Sequence, residues 1–440
     1  MNNIKEIKTE VRKIKLSDIV FKDDIYARIE KDQALISKYA ENANAILNSN
    51  NRILISQGGI LMDGWHRWKA FERVCGKEFE LDVDVFLTDN TDAIEIESYA
   101  ANQKHGKANS KKDTFRNIQR LYAKGHDRDT IQNKLSVSKS WVNEATKQQR
   151  ATEKEEMKRV AVEMYLRAGS TYKSIADELD IESHTTIRDI VKNVEMTTNG
   201  QIDKEWNLPS KDANHDATKP FRYNIWNLSK QDNKNGAHFG SFPQRFMENL
   251  LYYYTEPLDI VFDPFAGGGT TVDACKAMFR RYYCTDIQVI PGRENDIIHH
   301  DITTGLPDNL PKSNLVFLDP PYWKQAQGDY TDIESDLSNI PLEDFYNVFR
   351  TLFKVVKPKM VNGGVLAFII QNTQWKNDDK HVEPHSHIMW NIAEAAGFKF
   401  EHLIQVPYST QQYNAQMVEY AKTYKIILQL NRELVVLRKP

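Results

Sequence analysis

Twelve residues, Ile260-Val261-Phe262-Asp263-Pro264-Phe265-Ala266-Gly267-Gly268-Gly269-Thr270-Thr271, admit few local structures. An apolar run, a glycine turn and a helical stretch from Val272 to about Arg280 read as strand, glycine loop, helix. Glycines let the backbone approach a ligand closely, and the helix N-terminus adds a favourable dipole. The spacing is neither the G-x-x-x-x-G-K-S/T of a nucleoside triphosphate loop nor the G-x-G-x-x-G of a NAD site.

A second apolar run, Leu315-Val316-Phe317-Leu318, reads as a buried parallel strand and is followed at once by Asp319-Pro320-Pro321-Tyr322. The two prolines fix the backbone and remove two N–H donors. What remains is an acceptor-rich edge, the Asp319 carboxylate and the Pro320 carbonyl, beside an aromatic ring. That edge suits an exocyclic amino group, which offers two N–H donors next to a flat base.

Together the two motifs resemble the amino-methyltransferases that use S-adenosylmethionine to methylate exocyclic amines of nucleic-acid bases. The resemblance covers roughly the last 220 residues and implies an α/β Rossmann-like domain with a mixed, mostly parallel sheet. It makes S-adenosylmethionine the cofactor and assigns its binding to Asp263, Pro264, Phe265, Gly267, Gly269 and Thr270. The segment Gly240-Ser241-Phe242-Pro243 is similar to the one that contacts the methionine end, so Ser241 and Phe242 join that set. Asp286, closing Tyr282-Tyr283-Cys284-Thr285-Asp286, matches the ribose-binding acid, and Asp301 matches the residue at the adenine. The later runs Gly363–Ile370 and Asn431–Lys439 resemble a core strand and the last strand. One departure stands out: only about ten residues, broken by Pro291 and Gly292, separate Asp286 from the next strand, which leaves little room for the usual helix.

The resemblance makes Asp319, Pro320, Pro321 and Tyr322 the catalytic loop. Asp319 and the Pro320 carbonyl would accept the two amine hydrogens and stabilise the positive charge that develops on nitrogen. Tyr322 would stack on the base, with Trp323 as a second aromatic. A base inside a duplex cannot reach such a loop and must flip out. In the family an initial Asp favours adenine N6; cytosine N4 and RNA base amines stay open as alternatives.

The first half carries another resemblance. Ile53–Ser56 and Gly59–Met62 read as a hairpin, followed by Asp63-Gly64-Trp65-His66-Arg67 and a helix. This D-G-x-H-R pattern resembles the ParB/sulfiredoxin-like superfamily over about residues 8 to 100, an α+β domain. Gly64, His66 and Arg67 at a helix start could bind a phosphate, as of a nucleotide, or Asp63 and Arg67 could form a structural ion pair. Trp65 stands where a sulfiredoxin needs cysteine, which argues against that activity.

From Lys104 to Arg150 twelve Lys or Arg face four Asp or Glu, whereas the whole chain carries −3. Such asymmetry suggests a nucleic-acid face. The pattern fits a helix-turn-helix: Asp113–Lys124 ended by Gly125, Arg128–Leu135 capped by Asp127, and a third helix capped by Ser138. Trp141 and Val142 would point inward, and Lys139, Ser140, Asn143 and Lys147 toward a groove. A second, similar all-α unit follows (Glu155–Ala168, Tyr172–Leu179, Ser183–Asn193) with Thr185, Thr186 and Arg188 outward.

The expected order is therefore 1–103 ParB-like, 104–150 helix-turn-helix, 151–198 a second such unit, 199–219 a polar linker and 220–440 the methyltransferase domain. Met1–Glu10 has no apolar core of a signal peptide, no apolar run reaches membrane-spanning length, and Cys75, Cys275 and Cys284 lack metal or disulfide spacing; a cytoplasmic protein is expected. His381, Glu383, His385 and His387 are ligand types, but Pro384 favours a solvated loop over a metal site and no metal is expected. The expected partner is duplex DNA; a homodimer is compatible with this, and so is a DNA-binding protein whose methyltransferase half is not catalytic.

Overall fold

A computed structural model of the chain describes residues 9–29, 31–104, 109–206, 220–228, 243–323, 337–374, 382–407 and 415–440. It divides into two compact units, Met1–Glu156 and Met157–Pro440.

In the first unit β1 (Thr9–Lys15), β2 (Leu54–Ser56), β3 (Leu61–Asp63) and β4 (Glu80–Phe86) form a sheet of order β1-β4-β2-β3. Alternation along β4 buries Leu81, Val83 and Val85 against Trp65, Trp68 and Phe71 of helix Trp65–Cys75. Gly64 opens that helix at φ +98°, a left-handed conformation suited to glycine.

The three expected helices follow as Lys111–Ala123, Arg128–Leu135 and Lys139–Ala145. Ser110 (reciprocally with Asp113), Asp127 and Ser138 accept their free N-terminal N–H groups. Their core of Ile118, Leu121, Ile131, Leu135 and Val142 also takes in Ala27 and Tyr99. The Asn117 amide donates to the Ala27 carbonyl (3.1 Å) and Arg116 to that of Tyr26 (2.8 Å). The expected division at 103/104 therefore does not separate two bodies. Trp141 is also corrected: it is 37% exposed and packs edge-on against Phe115, while Val142 alone of the pair is buried.

The second unit is built on β5 (Ile260–Asp263), β6 (Arg281–Asp286), β7 (Ile297–His299), β8 (Ser313–Leu318), β9 (Met360–Ile370), the short hairpin of β10 (Thr373–Gln374) and β11 (Val382–Glu383), β12 (Lys399–Pro407) and β13 (Asn431–Arg438). Seven of these make one sheet in the order β12-β13-β9-β8-β5-β6-β7, in which only β13 runs against the rest. This is the mixed, mostly parallel Rossmann-like sheet that the motifs imply.

Alternate residues feed two cores. Phe262, Tyr283, Val316, Leu318, Phe368 and Val435 pack with Phe345, Phe349 and Phe353 of helix Leu342–Val356 and Met389 of helix His385–Ala395. On the other face Val261, Tyr282, Cys284, Leu315 and Ala367 meet helices Gln244–Tyr254 and Thr270–Met278. Ala161, Leu166, Ile175, Ile187, Val191 and Trp206 belong to this same core.

The segment expected as an independent unit at 151–198 is thus part of the sheet's own packing from Met157 onward. Its helices are Lys147–Leu166, Tyr172–Glu178 and His184–Trp206. The Ala168 N–H donates to the Tyr282 carbonyl (2.7 Å), and the Arg281 guanidinium donates to the carbonyls of Tyr165 (3.0 Å) and Ser170 (2.8 Å). The expected linker also starts too early, since helix runs through Trp206; residues 207–219 lie outside the described ones. Residues 287–296 hold turns and no helix, as their Pro and Gly predict. Among the described residues no helix is long and apolar enough to cross a membrane.

Candidate active site

The sheet's strand order reverses between β5 and β8, which pair in parallel. In open α/β sheets the crevice beyond the carboxyl ends of the strands at such a reversal is where ligands bind. The glycine motif leaves the end of β5 and Asp319-Pro320-Pro321-Tyr322 leaves the end of β8, so topology brings both motifs to this crevice.

Asp263 is 2% exposed and buckles the glycine loop. One carboxylate oxygen accepts the Phe265 N–H (2.9 Å) and the other the Thr271 hydroxyl (2.5 Å). Burial pushes its pKa up to about 7; the two hydrogen bonds oppose the rise and the charge of Asp286 adds to it. Pro264 is buried and Phe265 packs its ring on the core, so these residues shape the loop. Gly267 (φ +46°) faces open space where a side chain would stand, whereas Gly269 (φ +86°) caps helix Thr270–Met278 and a Cβ there would meet Arg293 Nε at 2.9 Å. Arg293 is held by both oxygens of Asp273 (2.8 and 2.6 Å). Thr270 is the first residue of the helix.

Asp286 ends β6 and its carboxylate accepts the N–H groups of Gly267 (2.7 Å) and Gln288 (2.9 Å). Asp301 caps a short 3-10 turn, accepting the N–H (2.9 Å) and hydroxyl (2.7 Å) of Thr303. Ser241 and Phe242 lie outside the described residues. The open space over Gly267, the adjoining helix N-terminus and the Asp286 carboxylate fit the anionic end and the hydroxyls of a nucleoside-bearing amino acid such as S-adenosylmethionine.

The Asp319 residue keeps part of its surface, but its carboxyl group sits deep. Burial drives the pKa well above the usual carboxylate range; the Arg432 guanidinium pulls it back, Asp263 adds to the rise, and a hydrogen bond with the Tyr322 hydroxyl opposes it. Pro320 is buried, while Pro321 and Tyr322 are half-buried. Trp323 departs from the expected stacking role. It is 2% exposed, donates its indole N–H to the Ile340 carbonyl (2.9 Å) and belongs to the core, so its ring offers no face to a base.

Other expected residues part company too. Arg67 is 6% exposed and spends its guanidinium on Asp63 (2.7 Å) and the carbonyls of Asn51 (2.6 Å) and Arg52 (2.8 Å). His66 is buried and accepts the Asp32 N–H at 3.0 Å. With Gly64 they make a structural joint instead of a phosphate site, and the ion-pair alternative is the one the structure favours. Lys139, Ser140 and Lys147 are exposed; Asn143 is half-buried and accepts from Arg128 (2.9 Å); Arg188 is exposed and paired with Asp189 (3.0 Å).

His385 is not in a solvated loop. It is fully buried at the start of a helix, because Pro384 sits just before the first turn, where proline is tolerated. His381 lies outside the described residues. Thr271, Arg293 and Arg432 escaped the sequence reading. Thr271 stood inside the quoted motif, but nothing local marks Arg293 or Arg432, which reach the site through the fold.

A family model described as DNA methylase matches residues 17–289, a range that holds the glycine motif and stops before Asp319. The chain is 32% identical over 87 residues to the type II methyltransferase M.BglII of Bacillus subtilis, covering 19% of this chain and 23% of that one. It is 38% identical over 61 residues to the type II methyltransferase M.XycI of Xanthomonas campestris pv. cyanopsidis, covering 14% and 20%. The chain thus spans about a fifth of the length of these relatives. Among solved structures, TrmN from Thermus thermophilus aligns with a TM-score of 0.30 at 15% identity, over 46% of this chain and 50% of that one. With a family match across more than half of its length, the chain belongs to the DNA methylase family.

Proposed function

We propose that the protein transfers a methyl group to the exocyclic amine of a flipped DNA base, N6 of adenine. The observation that carries this reading is the convergence of the glycine loop and the Asp319-Pro320 edge at one strand-order reversal. S-adenosylmethionine, the cofactor the family implies, supplies a methyl group on a positively charged sulfur when bound. Gly267, Gly269 and Thr270 would hold its amino-acid end, Asp286 its ribose and Asp301 its adenine.

Asp319 and the Pro320 carbonyl accept the two N–H donors of the target amine. That withdraws them from the plane of the base and frees the nitrogen lone pair. The same two acceptors face the positive charge that grows on nitrogen as it takes the methyl from sulfur; being fixed they need no reorganisation, and the ionised Asp319 then takes one of the two amine protons so that the methylated amine is left neutral. An ionised Asp319 accepts better than a protonated one, and Arg432 favours ionisation. Tyr322 exchanges its hydrogen bond with Asp319 for contact with the base face. Lys139, Ser140 and Lys147, exposed in a stretch where Lys and Arg outnumber Asp and Glu, would hold duplex DNA.

The test is mass spectrometry of nucleosides from unmethylated DNA incubated with the protein and S-adenosylmethionine, with Asp319→Ala as control. N6-methyladenine made only by the unaltered chain is the expected result. N4-methylcytosine would keep the mechanism and overturn the base; no methylated nucleoside would overturn the reading.

A further inference from the structure

The five-residue loop Asp319–Trp323 is tied at both ends. At one end Leu318 pairs with Phe368 of β9. At the other, the Trp323 carbonyl accepts the Thr373 hydroxyl at 3.0 Å. Thr373 Oγ1 lies 3.0 Å from His385 Nε2, and His385 Nδ1 lies 2.8 Å from the Tyr346 hydroxyl. The Tyr346 oxygen is also 2.9 Å from Glu383, which faces Thr373 across the β10–β11 hairpin. His385 is fully buried, Trp323 and Tyr346 nearly so, and Phe345 and Trp323 close on the imidazole edge-to-face at 5.6 and 5.9 Å.

The bond directions follow from donor inventory. A carbonyl only accepts, so Thr373 donates to Trp323. Its hydroxyl has one hydrogen, so Thr373 accepts from His385, and Nε2 carries the proton. Burial lowers the imidazole pKa to about 4, so the ring is neutral and, with its one proton on Nε2, Nδ1 is left as an acceptor facing the Tyr346 hydroxyl. The Glu383 carboxylate only accepts, and the Tyr346 hydroxyl donates to it at 2.9 Å, so Nδ1 and Glu383 compete for the single Tyr346 hydrogen.

Resting on the methyl-transfer reading, we propose that Thr373 and His385 are positioning residues: they hold the Trp323 end of the catalytic loop so that the Asp319 carboxylate and the Pro320 carbonyl keep the spacing an amine requires. Neither residue need touch the base. Their contribution is the fixed geometry of the two acceptors, and small misplacements of reacting groups cost rate steeply.

The experiment uses the full chain, Thr373→Val and Thr373→Ser, with kcat and KM for S-adenosylmethionine measured on unmethylated DNA. Nitrogen-15 NMR of the histidines, assigned with His385→Gln, reads the tautomer. Thr373→Val should lower kcat about tenfold with KM within about twofold, and Thr373→Ser should restore kcat to within about threefold. A general loss of structure would not give that split or that rescue. Wild-type kcat in a folded Thr373→Val chain overturns the role, as does an Nδ1–H tautomer at His385 whether or not the variant folds. A wild-type chain without methyl transfer overturns the underlying reading and the role with it, but leaves an observed Nε2–H relay standing.

Discussion

Asp263 sits where a charge is least welcome, and this has a measurable cost. Its pKa is held at about 7 in the folded chain, against about 3.9 in an unfolded one. The folded state therefore binds this proton more tightly. Below about pH 4 the group costs nothing; the cost grows as pH rises and levels off above about pH 7, where three units correspond to roughly 4 kcal/mol. Between pH 6 and pH 8.5 it should rise by roughly 1.4 kcal/mol. Asp263→Asn removes the charge and keeps the shape. The Asn oxygen can still accept the Phe265 N–H, and its amide can donate to the Thr271 hydroxyl. The variant should be more stable than wild type at both pH values, with the larger gap at pH 8.5. Denaturant unfolding followed by peptide-level hydrogen exchange lets β5 and β8 report on their own unit. An Asn variant less stable than wild type at pH 8.5, or a gap that narrows with pH, would refute the reasoning.

The raised pKa of Asp319 implies that kcat/KM climbs with pH through an acid limb above the ordinary carboxylate range; a limb near pH 4 would contradict it. Gly269→Ala forces a Cβ into Arg293 at φ +86° and should lower stability by about 1–2 kcal/mol, read by thermal unfolding. Replacing Lys139 and Lys147 with Ala should reduce the salt dependence of DNA binding by about two phosphate contacts, measured by titration at several salt concentrations.

Local signals carried much of the architecture. The run into Asp319, the glycine turn and the serine and aspartate caps of the N-terminal helices are contiguous, so each element could be read by itself. The failures are non-local. For Arg67 the sequence left phosphate binding open beside the Asp63 ion pair, because its use by the Asn51 and Arg52 carbonyls joins residues fifteen or more apart in the chain. Trp323 looked like a stacking ring because nothing nearby reveals that Ile340 takes its indole N–H. Residues 151–198 read as a second helix-turn-helix unit, and only the completed sheet shows that from Met157 onward one side of it is spoken for.

That last feature bears on how the protein can be cut. The short connection between β6 and β7 contributes no helix, and an earlier stretch of chain is fastened along β6, where the Tyr282 carbonyl accepts the Ala168 N–H. A fragment started at residue 220, where the methyltransferase motifs suggest, would strip Leu166, Ile175, Ile187, Val191 and Trp206 from the core they share with the sheet and should aggregate. A fragment started a few residues before Met157 should stay in solution. During synthesis the cover emerges from the ribosome before the surface it protects, so β6 need never face the cell undressed.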